Sequence, residues 1–216
     1  MSRFYLLLAV VAVVAGVLIW RGAQGGSADV SATAAVAPVA VTPADSAFKG
    51  FVLGSATAPV EVTEYADFQC PHCGEFANVQ FPTIKEQLIN TGRLRWRFRD
   101  YPLDFPWSRV AALAGQCAGE QGKFWDYHRS LMTAKGPMDD TDLKSRAAAL
   151  KLDPVAFSTC LASDRFDATI RAAFDDGTRV GVNSTPTYFV NGRMMTGALP
   201  FDEFREVVDS ELDRSR

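Results

Sequence analysis

Histidine is scarce in this chain: His72 and His128 are the two among 216 residues. A structural zinc site needs four suitably spaced Cys or His ligands. Cys70 and Cys73 could supply half of one, but Cys117, Cys160 and His128 stand far off and singly. No metal centre is expected, and His128 reads as a structural or surface residue. An excess of one charge is also lacking. Lys and Arg number 22 against 25 Asp and Glu, a net charge of −3. That is too little to draw nucleic acid or an acidic membrane surface. No internal repeat is visible, and no cysteine precedes Cys70, which excludes a lipid-modified N-terminal cysteine. The rest is ordinary globular material, 48% hydrophobic with mean hydropathy near zero. The length suits one domain, or one domain carrying an insertion.

The informative stretch is Glu64-Tyr65-Ala66-Asp67-Phe68-Gln69-Cys70-Pro71-His72-Cys73. Val60 to Tyr65 reads as a strand, and Gly74 to Asn90 as a helix. A Cys-X-X-Cys at a strand-to-helix junction points to reversible dithiol/disulfide chemistry. The first helical turn leaves backbone N–H groups unpaired and adds partial positive charge. A thiolate at Cys70 is stabilised there, which takes its pKa from about 8.5 into a range of about 3.5–7.5. A protonated His72 favours the same anion. Cys73, one turn further in, is expected to be more buried and to act as the resolving thiol. A purely structural disulfide would close a very short loop at a helix start. Alternation along the strand places Glu64 with Val60 and Val62, so it is a candidate for burial beneath the cysteines and for proton transfer with Cys73.

Residues Phe4 to Trp20 are almost continuously apolar between Arg3 and Arg21. Seventeen helical residues would span about 25 Å, the short end of the transmembrane range. A cleaved secretory signal is the alternative, but the small-residue cleavage site is poor, which favours an anchor. Either way the remainder is sent across a membrane. Gly22 to Ala47 is rich in Ala, Gly, Ser, Thr and Val and reads as a flexible tether. A short strand is expected near Phe51.

Arg93-Leu94-Arg95-Trp96-Arg97-Phe98-Arg99 alternates strictly, predicting a strand with one apolar face and one solvated basic face. From Asp104 to Gly181 the patterns are helical throughout. Helices are expected from Pro106, from Gly122, after the Asp139–Asp142 and Asp153-Pro154 caps, and around Ile170. Pro186 to Val190 and Arg193 to Thr196 flank Asn191-Gly192, a hairpin signal. Phe201, Phe204, Val207 and Val208 space a last helix.

Cys70-Pro71-His72-Cys73, with Glu64 and Asp67-Phe68 before it, resembles the active site of the DsbA-like thiol–disulfide oxidoreductases. Gly181 to Gly192, containing Thr185-Pro186, resembles that family's cis-proline loop and the strand after it. Two motifs in the right order, more than a hundred residues apart, are far more specific than either alone. The resemblance covers the chain from about Phe48 onwards. It implies a thioredoxin-like α/β fold with an all-helical insertion, preceded by an N-terminal anchor or signal segment. It strengthens the role of Glu64, since the family carries an acid six residues before its nucleophile. It also implies a cis Thr185–Pro186 bond, with the Thr185 backbone pairing with an extended substrate.

The resulting organisation is 1–21 anchor or signal peptide, 22–47 linker, 48–103 and 182–216 the two parts of the thioredoxin-like domain, and 104–181 the helical insertion. All four cysteines fall in the exported part, which fits an oxidising compartment. There, Cys117 and Cys160 are expected to form a structural disulfide, as in some members of the family. The resemblance implies an extracytoplasmic oxidase that donates disulfides to reduced, unfolded exported proteins. It would be re-oxidised by a quinone-linked membrane partner of DsbB or vitamin-K-epoxide-reductase type, and needs no cofactor of its own. A reductase or isomerase is the rival within the same chemistry. A membrane-tethered binding or chaperone module with merely structural cysteines is the rival outside it.

Overall fold

The computed structural model describes residues 50–214. The apolar run and tether expected over 1–47 lie outside the described residues. Among the described residues no helix is long and apolar enough to cross a membrane.

Five strands form one sheet: β1 (Phe51–Leu53), β2 (Val60–Ala66), β3 (Leu94–Asp100), β4 (Thr187–Val190) and β5 (Arg193–Thr196), in the order β1-β3-β2-β4-β5. β2 and β3 run parallel, and every other neighbouring pair is antiparallel. A parallel pair needs a crossover. Here it is α1 (Pro71–Val79), α2 (Phe81–Ile84) and a π-helical turn at Lys85–Ile89. The hairpin β4–β5 turns through Asn191 (φ 45) and Gly192 (φ 89), the pair of left-handed residues that a two-residue turn between twisted strands requires.

The crossover differs from the single helix expected over Gly74 to Asn90. Pro82 has no N–H to continue the α-helical ladder, so the helix breaks at Gln80 and resumes with altered pitch. Five helices follow β3: α3 (Ser108–Glu120), α4 (Phe124–Met132), α5 (Asp140–Ala149), α6 (Pro154–Leu161) and α7 (Asp167–Arg179). The carboxylates of Asp139 and Asp153 accept from the N–H groups of Asp142 (2.9 Å) and Ala156 (2.7 Å), which sets where α5 and α6 begin. Cys117 in α3 and Cys160 in α6 are joined by a disulfide with Cα atoms 5.7 Å apart. The chain ends in α8 (Phe201–Arg214).

Alternation along β2 divides the protein. Val60, Val62 and Glu64 face α1 and α8, in a core built on Phe76, Trp96, Tyr188 and Phe204. Tyr65 faces α7, in a smaller cluster with Tyr101, Val182 and Phe189. A Cβ at Gly177 of α7 would come within 2.8 Å of the Tyr65 ring and 2.9 Å of the Tyr101 ring, so glycine is what lets this helix lie so close to the sheet. The insertion has its own core around Phe98, Phe124, Tyr127, Leu131 and Phe157, and the two active-site cysteines belong to it.

The basic face of β3 is not simply solvated. Arg99 is buried against Asp176, while Arg95 and Arg97 are half-covered and bonded to Glu61. The strand is internal, lying between β1 and β2, so its arginines find carboxylates from β2 and α7 rather than open water. His128 is buried as well. Its ring lies 4.9 Å from that of Phe98 and 5.3 Å from that of Trp125, and burial pushes its pKa down to about 3.

Candidate active site

β2 ends at Ala66, and a four-residue loop carries the chain to α1. Asp67 holds that loop. Its buried carboxylate accepts from the N–H groups of Gln69 (2.6 Å) and Leu103 (2.5 Å), tying it to the segment after β3. Burial raises the Asp67 pKa, against the hydrogen bonds from Leu103 and Gln69. Cys70 then takes the N-cap position in an extended conformation (φ −70, ψ 122), with Pro71 as the first helical residue. Proline suits that place because its fixed φ is helical and no N–H is wasted.

From the far end of the chain, the cis Thr185–Pro186 bond brings the backbone beside the helix start. The Cys70 Sγ lies 3.4 Å from the Thr185 carbonyl oxygen, to which its protonated form donates. The loop holding that carbonyl is itself anchored. The Tyr101 hydroxyl donates to the Val182 carbonyl (2.8 Å), and the Gly197 N–H to that of Pro186 (2.9 Å).

Both cysteines are buried and free as thiols, Cys73 completely so. They differ sharply in acidity. The Cys73 thiol donates to Cys70, and this is the largest influence drawing the Cys70 pKa down to about 5. Burial opposes it, and the N–H groups of Cys73 and His72 assist. Burial drives the Cys73 thiol far above its ordinary range, reinforced by the hydrogen bond and negative charge at Cys70. One sulfur is thus an anion at neutral pH and its partner a proton-bearing thiol. His72 presents its ring to solvent, with Nδ1 3.6 Å from Glu75 Oε2, so its buried contribution is the main-chain N–H.

Glu64 lies beneath this pair. It is buried, and its Oε2 accepts from the indole N–H of Trp96 at 2.8 Å. Burial outweighs that bond and pushes its pKa up to about 7, and its charge is felt at Cys73. Opposite it on β4 stands Tyr188, whose buried hydroxyl has no hydrogen-bond partner among the described residues. Burial, then the charges of Glu64, Cys73 and Cys70, push the Tyr188 phenol well up. A third carboxylic acid, Asp100, is buried at the end of β3 and accepts from Gln116 Nε2 at 2.6 Å. Burial raises its pKa to about 7.

Sequence reasoning named Cys70, Pro71, His72, Cys73, Glu64, Thr185 and Pro186, and the structure brings all seven to one place. It missed Trp96, Tyr188 and Asp100. Trp96 could have been placed through its inward phase in the alternating strand. Tyr188 and Asp100 carry no local signal, because only strand pairing and helix packing bury them. Among the described residues no group of three or more His, Cys, Asp or Glu could hold a metal.

A reactive thiolate at a helix start, a buried partner thiol and a facing cis-proline loop on this sheet define a thiol–disulfide exchange protein of thioredoxin-like fold. The comparisons with known proteins agree. The thioredoxin family model matches residues 46–210, and the chain belongs to that family, among its DsbA-like thiol–disulfide oxidoreductases. It is 29% identical to disulfide bond formation protein D of Bacillus subtilis, over 74% of this chain and 76% of that one. The solved structure of oxidised BdbD from Bacillus subtilis superposes with a TM-score of 0.73 at 28% identity, covering 82% of this chain and 98% of that one. The chain is also 36% identical, over 76% of its length, to a Na(+)/H(+) antiporter NhaA 1 of Salinispora arenicola, of which it spans a quarter (25%).

Proposed function

We propose that this chain is an extracytoplasmic oxidase that donates the Cys70–Cys73 disulfide to reduced proteins. The observation that carries the reading is the opposed acidity of the two sulfurs, with Cys70 drawn down to about pKa 5 and Cys73 driven up by burial. A thiolate that is stable in the reduced protein makes the disulfide eager to accept electrons.

A substrate thiolate attacks Cys70 Sγ, the Cys70–Cys73 bond breaks, and Cys73 leaves as a thiolate. Cys73 cannot remain an anion in its buried site, so it takes a proton from Glu64, which near neutral pH holds one about half the time. The second substrate thiol loses its proton to solvent and attacks the substrate sulfur of the mixed disulfide. Cys70 is released as the stabilised thiolate. The substrate has lost two electrons and two protons. Glu64 recovers its proton from solvent, so the enzyme ends with both electrons and a net gain of one proton, on Cys73, and the other substrate proton stays in solvent.

Thr185 and Pro186 would position the substrate. The Thr185 carbonyl lies next to the attacked sulfur, where an extended substrate backbone could add alongside it. Re-oxidation needs an acceptor for the two electrons, and a quinone-linked membrane enzyme of DsbB or vitamin-K-epoxide-reductase type would supply it. Residues 1–21 would hold the domain, or direct it, to the outer face of the membrane, with 22–47 as tether. The parts 48–103 and 182–216 carry the catalytic pair and the facing loop, and 104–181 roofs them.

The test is the potential of the Cys70/Cys73 pair, equilibrated with glutathione. A value near that of DsbA, about −120 mV, supports the oxidase. A value near that of thioredoxin, about −270 mV, makes the protein a reductase instead. Failure to oxidise a reduced, unfolded protein at all would leave only the tethered binding module.

A further inference from the structure

The two active-site sulfurs stand differently toward α1. Cys70 caps the helix, and the N–H groups of His72 and Cys73 turn toward its Sγ. Cys73 lies inside the first turn and is completely buried. There the N–H groups of the helix point along its axis, as that of Gly74 does in donating to the Cys70 carbonyl at 3.1 Å. A donor for the Cys73 sulfur has to come from another element.

The end of β2 supplies it. The pairing of β2 with β3 stops at Ala66, whose carbonyl accepts from the Tyr101 N–H at 2.9 Å. The next N–H, that of Asp67, lies past the end of the ladder and is directed at Cys73 Sγ. The rest of Asp67 is tied down. Its carbonyl accepts from the Cys70 N–H at 3.2 Å, its Oδ1 from the Gln69 N–H at 2.6 Å, and its Oδ2 from the Leu103 N–H at 2.5 Å. The bond to Gln69 closes a turn in which an aspartate binds the main chain two residues on. The bond to Leu103 reaches across to the segment after β3. A single buried residue thus meets the main chain of one cysteine and the sulfur of the other, and its peptide has little room to turn.

We propose that the main-chain N–H of Asp67 receives the charge that develops on Cys73 Sγ as the disulfide opens, and that the Asp67 carboxyl is the positioning group that aims it. The inference rests on the exchange chemistry proposed above. In that step the incoming thiolate bonds to Cys70 Sγ, the Cys70–Cys73 bond breaks, and its electron pair departs on Cys73. Charge arriving in a buried site is costly unless a donor meets it. A donor already fixed in place needs no reorganisation at that moment, and a better-stabilised thiolate leaves faster. The N–H acts on the sulfur before Glu64 delivers its proton.

The test follows opening of the disulfide by dithiothreitol in the full-length protein, a reaction that runs whichever direction the protein works in the cell. Asp67→Ala frees the peptide and should slow opening by at least about tenfold. Asp67→Asn keeps one acceptor of the two and should recover part of the rate. A merely structural role predicts the opposite sign, since a loosened loop exposes the bond and speeds its reduction. Should Asp67→Ala fail to fold, reduced wild-type and Cys73→Ala proteins give a second reading by NMR. Loss of the sulfur should move the Asp67 N–H resonance upfield, while those of Gln69 and Leu103, held by the carboxyl, stay in place. Unchanged or faster opening in Asp67→Ala, no recovery in Asp67→Asn, or an unmoved Asp67 resonance would each overturn the proposal. Slow opening in Asp67→Ala, in a protein whose wild type fails to oxidise an unfolded substrate, would sink the oxidase reading and leave this one standing.

Discussion

The sulfur of Cys70 lies 3.4 Å from the carbonyl oxygen of Thr185, a residue 115 positions further along the chain. That contact joins the start of α1 to the loop before β4, and in the proposed exchange it would place the attacked sulfur beside the backbone that guides the attacker.

The first prediction concerns Cys70. In the reduced protein its thiolate ultraviolet absorbance should titrate with a midpoint near pH 5. The folded-state pKa is depressed, so the associated stability is fully present above the thiol's unfolded value of about 8.5 and is lost as pH falls through about 5. At neutral pH it favours the reduced form by a few kcal/mol, at about 1.4 kcal/mol per unit. Melting curves of reduced and oxidised protein should therefore converge on acidification below pH 5. A midpoint near that of a free thiol would remove the physical basis for an oxidase.

Glu64 titrates in the opposite sense. Its folded pKa is raised, from 4.5 to about 7, so its contribution is fully present below about pH 4.5 and is lost as pH rises through 7. Glu64→Gln, which stays neutral, should gain stability relative to wild type between pH 5 and pH 8, by on the order of 3 kcal/mol. The same variant should slow exchange at Cys73 while leaving the Cys70 titration within about a unit. An unaltered pH–rate profile would count against proton transfer through this residue.

Tyr188 carries a buried hydroxyl without a hydrogen-bond partner among the described residues. Tyr188→Phe deletes no bond and relieves that desolvated group, so it should be neutral or stabilising by about 1 kcal/mol. Denaturant unfolding measures this directly. A loss of more than about 1 kcal/mol would show that the phenol is bonded in solution.

The disulfide between α3 and α6 closes a long loop, with its cysteines 43 positions apart. Replacing Cys117 and Cys160 together with Ala should lower stability by up to about 4 kcal/mol, through the entropy restored to the unfolded chain. The bond shares a buried core with the redox pair but neither of its cysteines is among the groups that set the acidity of Cys70 or Cys73, so the Cys70/Cys73 potential should move little. A large change in potential in the double variant would mean that the insertion tunes the active site through this bond.

Local chemistry was legible in the residues alone. Cys-X-X-Cys after a strand and before a helix places a thiol at a helix start, and proline at the first helical position and the aspartate caps act within a turn of themselves. Alternation in β2 pointed Glu64 inward, and the helical periods in the insertion matched five helices, because side-chain phase is a property of neighbouring residues. Pairing across distance was legible only where the family resemblance supplied it, as for Cys117 with Cys160 and for the Thr185–Pro186 loop beside Cys70. The basic stripe of β3 read as a solvated face, yet Arg99 is buried, because α7 returns over the sheet at Gly177 and brings Asp176 with it. Tyr188 meets Glu64 because β4 pairs antiparallel with β2 in that register, and no residue near either one announces it. Which groups are charged at neutral pH depends on the water that packing removes, and only the tertiary structure decides that.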